Sequence, residues 1–380
     1  MRIALDSWVL ASRFRRQGTH VYAEHVFREF RCAAKQDAEL SFFLFTSSGD
    51  LYNPAAFGAG PGFEVRASRL LRWDRLWRLG GASIAAARAD ADVLFAPVPA
   101  MLPLGRVPVV CTIHDITPVM APSHSRAVVW QQRWFLRAAA SRSRRIITVS
   151  ECSKADLVKV FGLPEEKIQV VYNGVDKAVF NGQPADLNDQ RRVLSKIGVE
   201  KPYIFHHGTI QPRKNLARLI RAYRLMMASN RNLDFDLVLA GPLGWRYEET
   251  VKEVHRAGGG RVVLAGAVED HELALLLKGA SLVVVPSLYE GFCLPMVEAM
   301  ACGAPVIAAK TSCLPEISGG ALRYFDSLSV EDMAACMKQV LEDSEVRNAL
   351  VEKGKEQAAK FDWRRCAQET LAVLRQAVNS

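Results

Sequence analysis

Short runs of β-branched and other apolar residues alternate along this chain with longer stretches whose apolar positions recur at helical spacing. The first runs are RIALD (2–6), SFFLFT (41–46), DVLFAP (92–97), PVVCTIHD (108–115), RRIITVS (144–150) and IQVVYN (168–173). Strands that alternate with amphipathic helices predict a parallel sheet covered by helices. A polar stretch with Gly and Pro near its ends, 174–202, interrupts the rhythm and reads as an interdomain connection. The alternation restarts with YIFHHG (203–208), FDLVLAG (235–241), RVVLAG (261–266), SLVVVPS (281–287) and PVIAA (305–309), which predicts a second parallel sheet. Several of these strands run into glycine, and ligands of such sheets bind at the carboxyl ends of the strands.

The expected fold class is therefore α/β, with two Rossmann-like parallel-sheet domains. The first spans 1–177 and the second 178–362. An amphipathic closing segment carries Trp363, Cys366, Leu371, Leu374 and Val378 at helical spacing, and a helix over 363–380 is expected to pack back on the first domain. Segment 69–79, RLLRWDRLWRL, sets Arg69, Arg72 and Arg75 on one side of a predicted helix and Leu70, Trp73, Leu76 and Trp77 near the other. Such a helix either lies in a membrane interface or packs its apolar face on its own sheet.

Composition narrows the class without changing the fold. The 380 residues are too many for one ordinary core and fit two domains of roughly 150 to 200 residues. Hydrophobic residues at 49% and charged residues at 23% are those of a folded, water-soluble chain. No apolar run reaches the roughly 20 residues that span a bilayer, and the N-terminus enters a strand pattern directly, so a cytoplasmic location is expected. The eight cysteines show no metal spacing, and neither disulfides nor zinc are expected. The net charge of +9 sits almost wholly in residues 1–180, which hold 24 Lys and Arg against 16 Asp and Glu. That bias suits an anionic partner such as the inner face of a membrane, and equally suits plain arginine-rich codon usage.

The densest chemistry lies in SLYEGFCLPMVEAMACGAPVIA (287–308). A strand ends at Ser287, a turn carries Glu290 and Gly291, Pro295 suits the first turn of a helix, and Gly303 suits its end. The amides at that helix start can receive a diphosphate. Carboxylates such as Glu290 and Glu298 accept hydrogen bonds from pairs of neighbouring hydroxyls, which assigns one to a sugar and one to a ribose. A second loop, HHGTIQPRKNL (206–216), offers Gly208 at a strand end, then Arg213 and Lys214 as cations for a diphosphate and for the charge that builds on a departing nucleotide. His206 and His207 read as strand-filling residues. The Asp90 and Asp92 pair precedes a strand and reads as surface charge, so no metal is expected to be required.

These features resemble glycosyltransferase family 4, the retaining group 1 transferases of the GT-B fold, in which two Rossmann-like domains face each other across a cleft. The resemblance rests on Glu290 and Glu298 with their intervening Gly, Phe and Pro, followed by AMACGAPVI, and on GTIQPRKNL, LAGPLGW (239–245), VVYNGVD (170–176) and TIHD (112–115). It implies that Glu298 binds ribose hydroxyls, that Glu290 holds the transferred sugar, and that Arg213 and Lys214 hold the diphosphate. It places the amides of Phe292, Cys293 and Leu294 against phosphate and sugar, and His114 near the sugar's outer hydroxyls. Gly241 and Val268 would line the base pocket, and Gly18 would let the first loop approach the donor. Two positions depart from the family pattern: Cys293 stands where Gly is commoner, and the first loop carries one glycine rather than two.

With both glutamates occupied by hydroxyls, no carboxylate is left as a nucleophile, which points to front-face substitution with the leaving phosphate helping to deprotonate the acceptor. An oxidoreductase would need G-x-G-x-x-G after the first strand, and the chain has SWVLASRFRRQG there. No nucleic-acid recognition motif accompanies the basic half. A nucleotide-sugar epimerase keeps the fold but fits the 287–308 window less well. The expected donor is GDP-mannose ahead of a UDP-sugar. The expected acceptor is a saccharide or lipid-linked saccharide of polysaccharide assembly.

Overall fold

In the computed structural model the described residues are 1–11, 17–46, 57–68, 73–120, 126–230, 232–256 and 260–379. The predicted strands fall into two all-parallel sheets. The first contains β1 (Arg2–Asp6), β2 (Ser41–Thr46), β3 (Phe63–Ala67), β4 (Val93–Ala96), β5 (Val109–Thr112), β6 (Arg145–Thr148) and β7 (Ile168–Val170). They run in the order β3-β2-β1-β4-β5-β6-β7, with Leu5 paired to Leu44 on one side and to Phe95 on the other. Phe27 and Phe30 of helix Gly18–Gln36 pack against Phe95, and Phe30 stacks on Phe42 at 5.1 Å. Helix Trp363–Asn379 belongs to this same unit, which comprises Met1–Gly174 and Asp362–Ser380. It lies along Gly18–Gln36 and the central strands, burying Trp363, Cys366, Leu371 and Leu374.

The second unit, Val175–Phe361, holds β8 (Tyr203–His207), β9 (Asp236–Ala240), β10 (Val262–Gly266), β11 (Leu282–Val285), β12 (Val306–Ala309) and β13 (Arg323–Phe325). Their order is β10-β9-β8-β11-β12-β13. β8, β9, β11 and β12 are buried along their whole length, as strands covered on both faces must be. The order reverses between β8 and β11. The loops leaving these two strands diverge there, and the crevice left between them is where a ligand of this fold binds.

Two expectations are corrected. The polar stretch 174–202 is not simply a connection: Leu187–Lys196 is a helix, begun by the Asp186 carboxylate accepting the amides of Asn188 and Asp189, and it packs on helix Asp270–Gly279 within the second unit. In segment 69–79, described from Trp73 onward, Trp73 and Trp77 do not share one face. Arg69, Leu70 and Arg72 lie outside the described residues, and beyond them the chain bends at Leu79 and Gly80. Trp77 is fully buried and donates its indole N–H to Asp6 at 2.8 Å, whereas Trp73 is exposed.

Candidate active site in the second unit

The site begins with β8. His206 and His207 end that strand, and the chain turns at Gly208 with φ of 140°. Gly241, at the end of β9, also has φ of 140°, and a Cβ there would lie 2.2 Å from the Gly208 carbonyl oxygen. Only glycine lets these two strand ends approach so closely. The turn Pro212–Lys214 follows, and Asn215 closes it in a left-handed conformation before helix Leu216–Ser229. The Asn215 amide donates to the carbonyls of Pro286 and Ser327 at 3.1 and 2.7 Å. It thereby ties the loop after β8 to the loop after β11, and the sequence reading had passed over it.

From β11 the chain runs through Ser287 to Glu290. The Leu288 amide donates to the Arg213 carbonyl at 2.8 Å, and the Glu290 amide donates to the Ser312 hydroxyl at 3.0 Å. With both loops fastened, three charged side chains converge. Arg213 Nη1 lies 2.5 Å from Glu290 Oε2, and Lys214 Nζ lies 2.7 Å from Glu290 Oε1. Burial alone would raise the Glu290 pKa, but the Arg213 and Lys214 charges overcome it and hold the group at about 2. Arg213 also donates to the Tyr289 carbonyl at 2.6 Å. The two cations are thus not an exposed basic loop: Lys214 is buried, and both are spoken for by one carboxylate.

Helix Leu294–Ala301 starts with Pro295 in its first turn, and Gly303 with φ of 74° follows its end at Cys302. Phe292 is buried edge-on against Phe361 at 5.3 Å. The residue before the helix is Cys293, with φ of 73° and ψ of 67°, a conformation that favours glycine. The chain therefore keeps the backbone of a glycine position while carrying a buried thiol, whose pKa burial and then Glu290 push up to about 12. Left-handed strain of roughly 1 to 2 kcal/mol should offset the backbone entropy and burial that Cys293→Gly removes. Its melting midpoint is expected to match the parent's closely. The control Cys366→Gly, in a helix interior with an ordinary backbone, should cost about 2 kcal/mol or more. Equal losses in the two variants would show that no strain resides at 293.

Glu298, one turn into the helix, is the second carboxylate. Burial first, and then Asp270, push its pKa up to about 8. Its Oε2 lies 3.4 Å from His207 Nε2, which also lies 3.3 Å from the Pro295 carbonyl. Burial, followed by His206 and Lys214, lowers His207 to about 3, so this approach is a contact between a neutral ring and a mostly protonated carboxyl rather than an ion pair. His207 is more than strand filling, as it borders the carboxyl expected to meet ribose. His206 points the other way: Nδ1 bonds the Val284 carbonyl at 2.9 Å, and burial lowers its pKa to about 4.

Gly208, Arg213, Lys214, Gly241, Val268, Glu290, Gly291, Phe292, Cys293, Leu294 and Glu298 all lie on loops or helix starts beyond the carboxyl ends of β8, β9, β10 and β11. Val268, half-buried after β10, stands just before the capping box of Glu269 and Glu272. Two expected residues belong to the first unit. His114, beyond β5, has Nε2 3.0 Å from the Pro97 carbonyl beyond β4, meets the Tyr22 ring edge-on at 4.7 Å, and is kept neutral mainly by burial. Gly18 opens helix Gly18–Gln36, and residues 12–16 of the preceding loop lie outside the described residues. The Asp92 carboxylate accepts the Arg2 amide at 2.7 Å. Among the described residues no group of three His, Cys, Asp or Glu side chains is arranged to hold a metal ion.

Known proteins resemble this chain in sequence and in fold. Residues 189–357 match the family described as Glycosyl transferases group 1, and residues 23–179 match Glycosyltransferase Family 4. The O-antigen chain mannosyltransferase B of Escherichia coli is 31% identical over 69% of this chain and 68% of its own. The MMP alpha-(1->4)-mannosyltransferase of Mycolicibacterium hassiacum is 28% identical over 71% and 66%. The serotype-specific mannosyltransferase WbdA of Escherichia coli is 26% identical over 69% of this chain, which spans only 33% of that protein. Among solved structures, Anabaena HepE in complex with UDP and glucose superposes with a TM-score of 0.72 at 19% identity, covering 99% of this chain and 100% of that one. WaaG, a glycosyltransferase involved in lipopolysaccharide biosynthesis, does so with a TM-score of 0.69 at 16% identity, covering 98% and 99%. With two Rossmann-like units and this pair of glutamates behind a cationic loop, the chain belongs to the group 1 glycosyltransferases of family 4 and has the GT-B fold.

Proposed function

We propose that the protein is a retaining hexosyltransferase that takes mannose from GDP-mannose and delivers it to a saccharide or lipid-linked saccharide of cell-surface polysaccharide assembly. The observation that carries the transferase chemistry is the triad of Arg213, Lys214 and Glu290 at the switch point of the second sheet, followed in the chain by the helix that carries Glu298. A nucleoside diphosphate sugar brings more negative charge than one carboxylate. As its phosphates draw Arg213 and Lys214, Glu290 is left ionised and partly unpaired, able to accept hydrogen bonds from the sugar hydroxyls. The same two cations then offset the charge that develops on the departing nucleoside diphosphate. On this reading Glu298 accepts the ribose hydroxyls, and no divalent ion is needed for the leaving group.

Neither carboxylate is spare to form a glycosyl-enzyme, so substitution proceeds on one face of the sugar, the leaving phosphate oxygen taking the acceptor's proton as the new glycosidic bond forms. The preference for mannose rests on the mannosyltransferases among the relatives. HepE in complex with UDP and glucose keeps UDP-sugars as the competing reading.

Calorimetric titration with GDP, UDP, GDP-mannose and UDP-glucose tests the donor. GDP ligands are expected to bind at least tenfold more tightly than UDP ligands. The reverse order would transfer the assignment to a UDP-sugar, and an inverted anomeric product would rule out front-face substitution.

A further inference from the structure

A groove of about 790 Å³ opens at the amino end of the first sheet, and the chain does not balance the charge that lines it. It lies beside Val109 and Arg145, which begin β5 and β6, and Lys167, which precedes β7. Ligands of parallel sheets bind at the opposite ends of the strands, so this groove is separate from any crevice there. Arg106, Arg142, Arg144, Arg145 and Lys167 line it, against the one carboxylate of Glu166. Among the described residues none of these five cations is ion-paired. Arg145 donates to the Glu166 carbonyl and Lys167 to the Ser141 carbonyl, each at 2.7 Å, which positions the two side chains and leaves their charge whole. The second unit treats its cations differently: the buried Glu253 carboxylate lies 2.9 Å from Arg221 and 3.7 Å from Arg224. Arg106, Arg142 and Arg144 are exposed, whereas Arg145 and Lys167 are half-buried. Burial lowers the Lys167 pKa, so its ammonium is partly withdrawn from water with no carboxylate in return. Pro103, Leu104, Pro108 and Pro164 add an apolar strip to the lining.

We propose that this groove is a second ligand site, which takes a soluble organic oligophosphate: the phosphates meet the four arginines and Lys167, and an apolar ring lies on the proline and leucine strip. A recess of this volume suits a molecule the size of a nucleotide. Guanidinium forks take phosphate oxygens two at a time, and several unpaired cations in one groove favour a chain of phosphates over a single one. A bound phosphate also supplies the counter-charge that Lys167 lacks. Arg213 and Lys214 belong to the second unit and are balanced by Glu290, so the groove is independent of the donor assignment.

The test is calorimetric titration of the full chain with ATP, inorganic tripolyphosphate and orthophosphate. ATP and tripolyphosphate are expected to bind, and orthophosphate to bind at least about tenfold more weakly. Arg142→Gln with Arg144→Gln should weaken both oligophosphates at least about tenfold. Both arginines are exposed, so the melting midpoint and the affinity for GDP-mannose and UDP-glucose should match the parent's and separate a lost site from lost folding. Tripolyphosphate should also slow acetylation of Lys167, read by peptide mass spectrometry, in the parent and not in the paired variant. Failure of both oligophosphates to bind, or binding that the arginine pair leaves unchanged, would overturn the proposal. Orthophosphate bound as tightly as tripolyphosphate would overturn it in favour of a simple anion site. Vesicles containing phosphatidylglycerol that bind where neither oligophosphate does would overturn it in favour of an extended anionic surface.

Discussion

Glu290→Gln should cost about 3 to 5 kcal/mol of stability in the second unit and reduce transfer to background. The carboxylate is buried with Arg213 and Lys214 at 2.5 and 2.7 Å, so an amide of the same shape can accept from only one of the two cations, turns its NH2 on the other, and leaves both charges unbalanced. The lost quantity is mainly the penalty of stranded charge, which Lys214→Met added to Glu290→Gln should partly restore. A nucleoside diphosphate should also raise the variant's melting midpoint by more than the parent's, because its phosphates supply the missing negative charge.

Linkage fixes the pH dependence of the same group. The folded pKa of about 2 lies below the ordinary 4.5, so the stabilisation is complete above about 4.5 and is lost as pH falls towards 2. The parent should show that acid limb and the variant a flattened one. A midpoint within about 0.5 kcal/mol of the parent's, with an unchanged acid limb, would mean that Glu290 does not balance the two cations.

Most of the architecture was legible because parallel strands buried on both faces declare themselves as apolar runs. VLFA in β4, DLVLA in β9 and LVVV in β11 are such runs. The strands that escaped notice are at sheet edges. β3, FEVRA, alternates charge with apolar residues and buries only Phe63; β13 is three residues long with only Phe325 buried. Helix Leu187–Lys196 escaped for a related reason, since its sequence is polar and Val193 is its one buried residue. The site was legible by residue identity, because Glu290, Glu298, Arg213 and Lys214 sit beside the Pro and Gly residues that shape their loops. What spacing could not disclose was the long-range pairing that binds both cations to Glu290, across 76 positions for Lys214, or the burial that makes Glu298 a weak acid. Asn215 gave one signal that could have been used: an asparagine between a turn and a helix start is a residue suited to left-handed backbone.

The same isosteric change at Glu298, in the helix that follows Glu290, should behave in the opposite sense. Glu298 has a folded pKa of about 8, above the ordinary 4.5, so folding favours its protonated form. Its contribution to stability is complete below about 4.5 and declines as pH rises towards 8. Glu298→Gln removes this decline, and the variant should gain on the parent across that window instead of losing to it. Nucleotide binding should still suffer, because on the proposed assignment only the ionised carboxylate accepts both ribose hydroxyls. Two hydrogen bonds to a charged acceptor set the expected loss at about 100-fold in Kd above pH 8. Below that pH the parent must first release the proton from Glu298, so its affinity should fall by up to about tenfold per unit of pH, with proton release visible as a buffer-dependent heat of binding. The variant should show neither. A parent whose nucleotide affinity ignores pH between 6 and 8, or a Glu298→Gln protein that binds as tightly as the parent above pH 8, would remove Glu298 from the ribose and leave its contact with His207 to account for it.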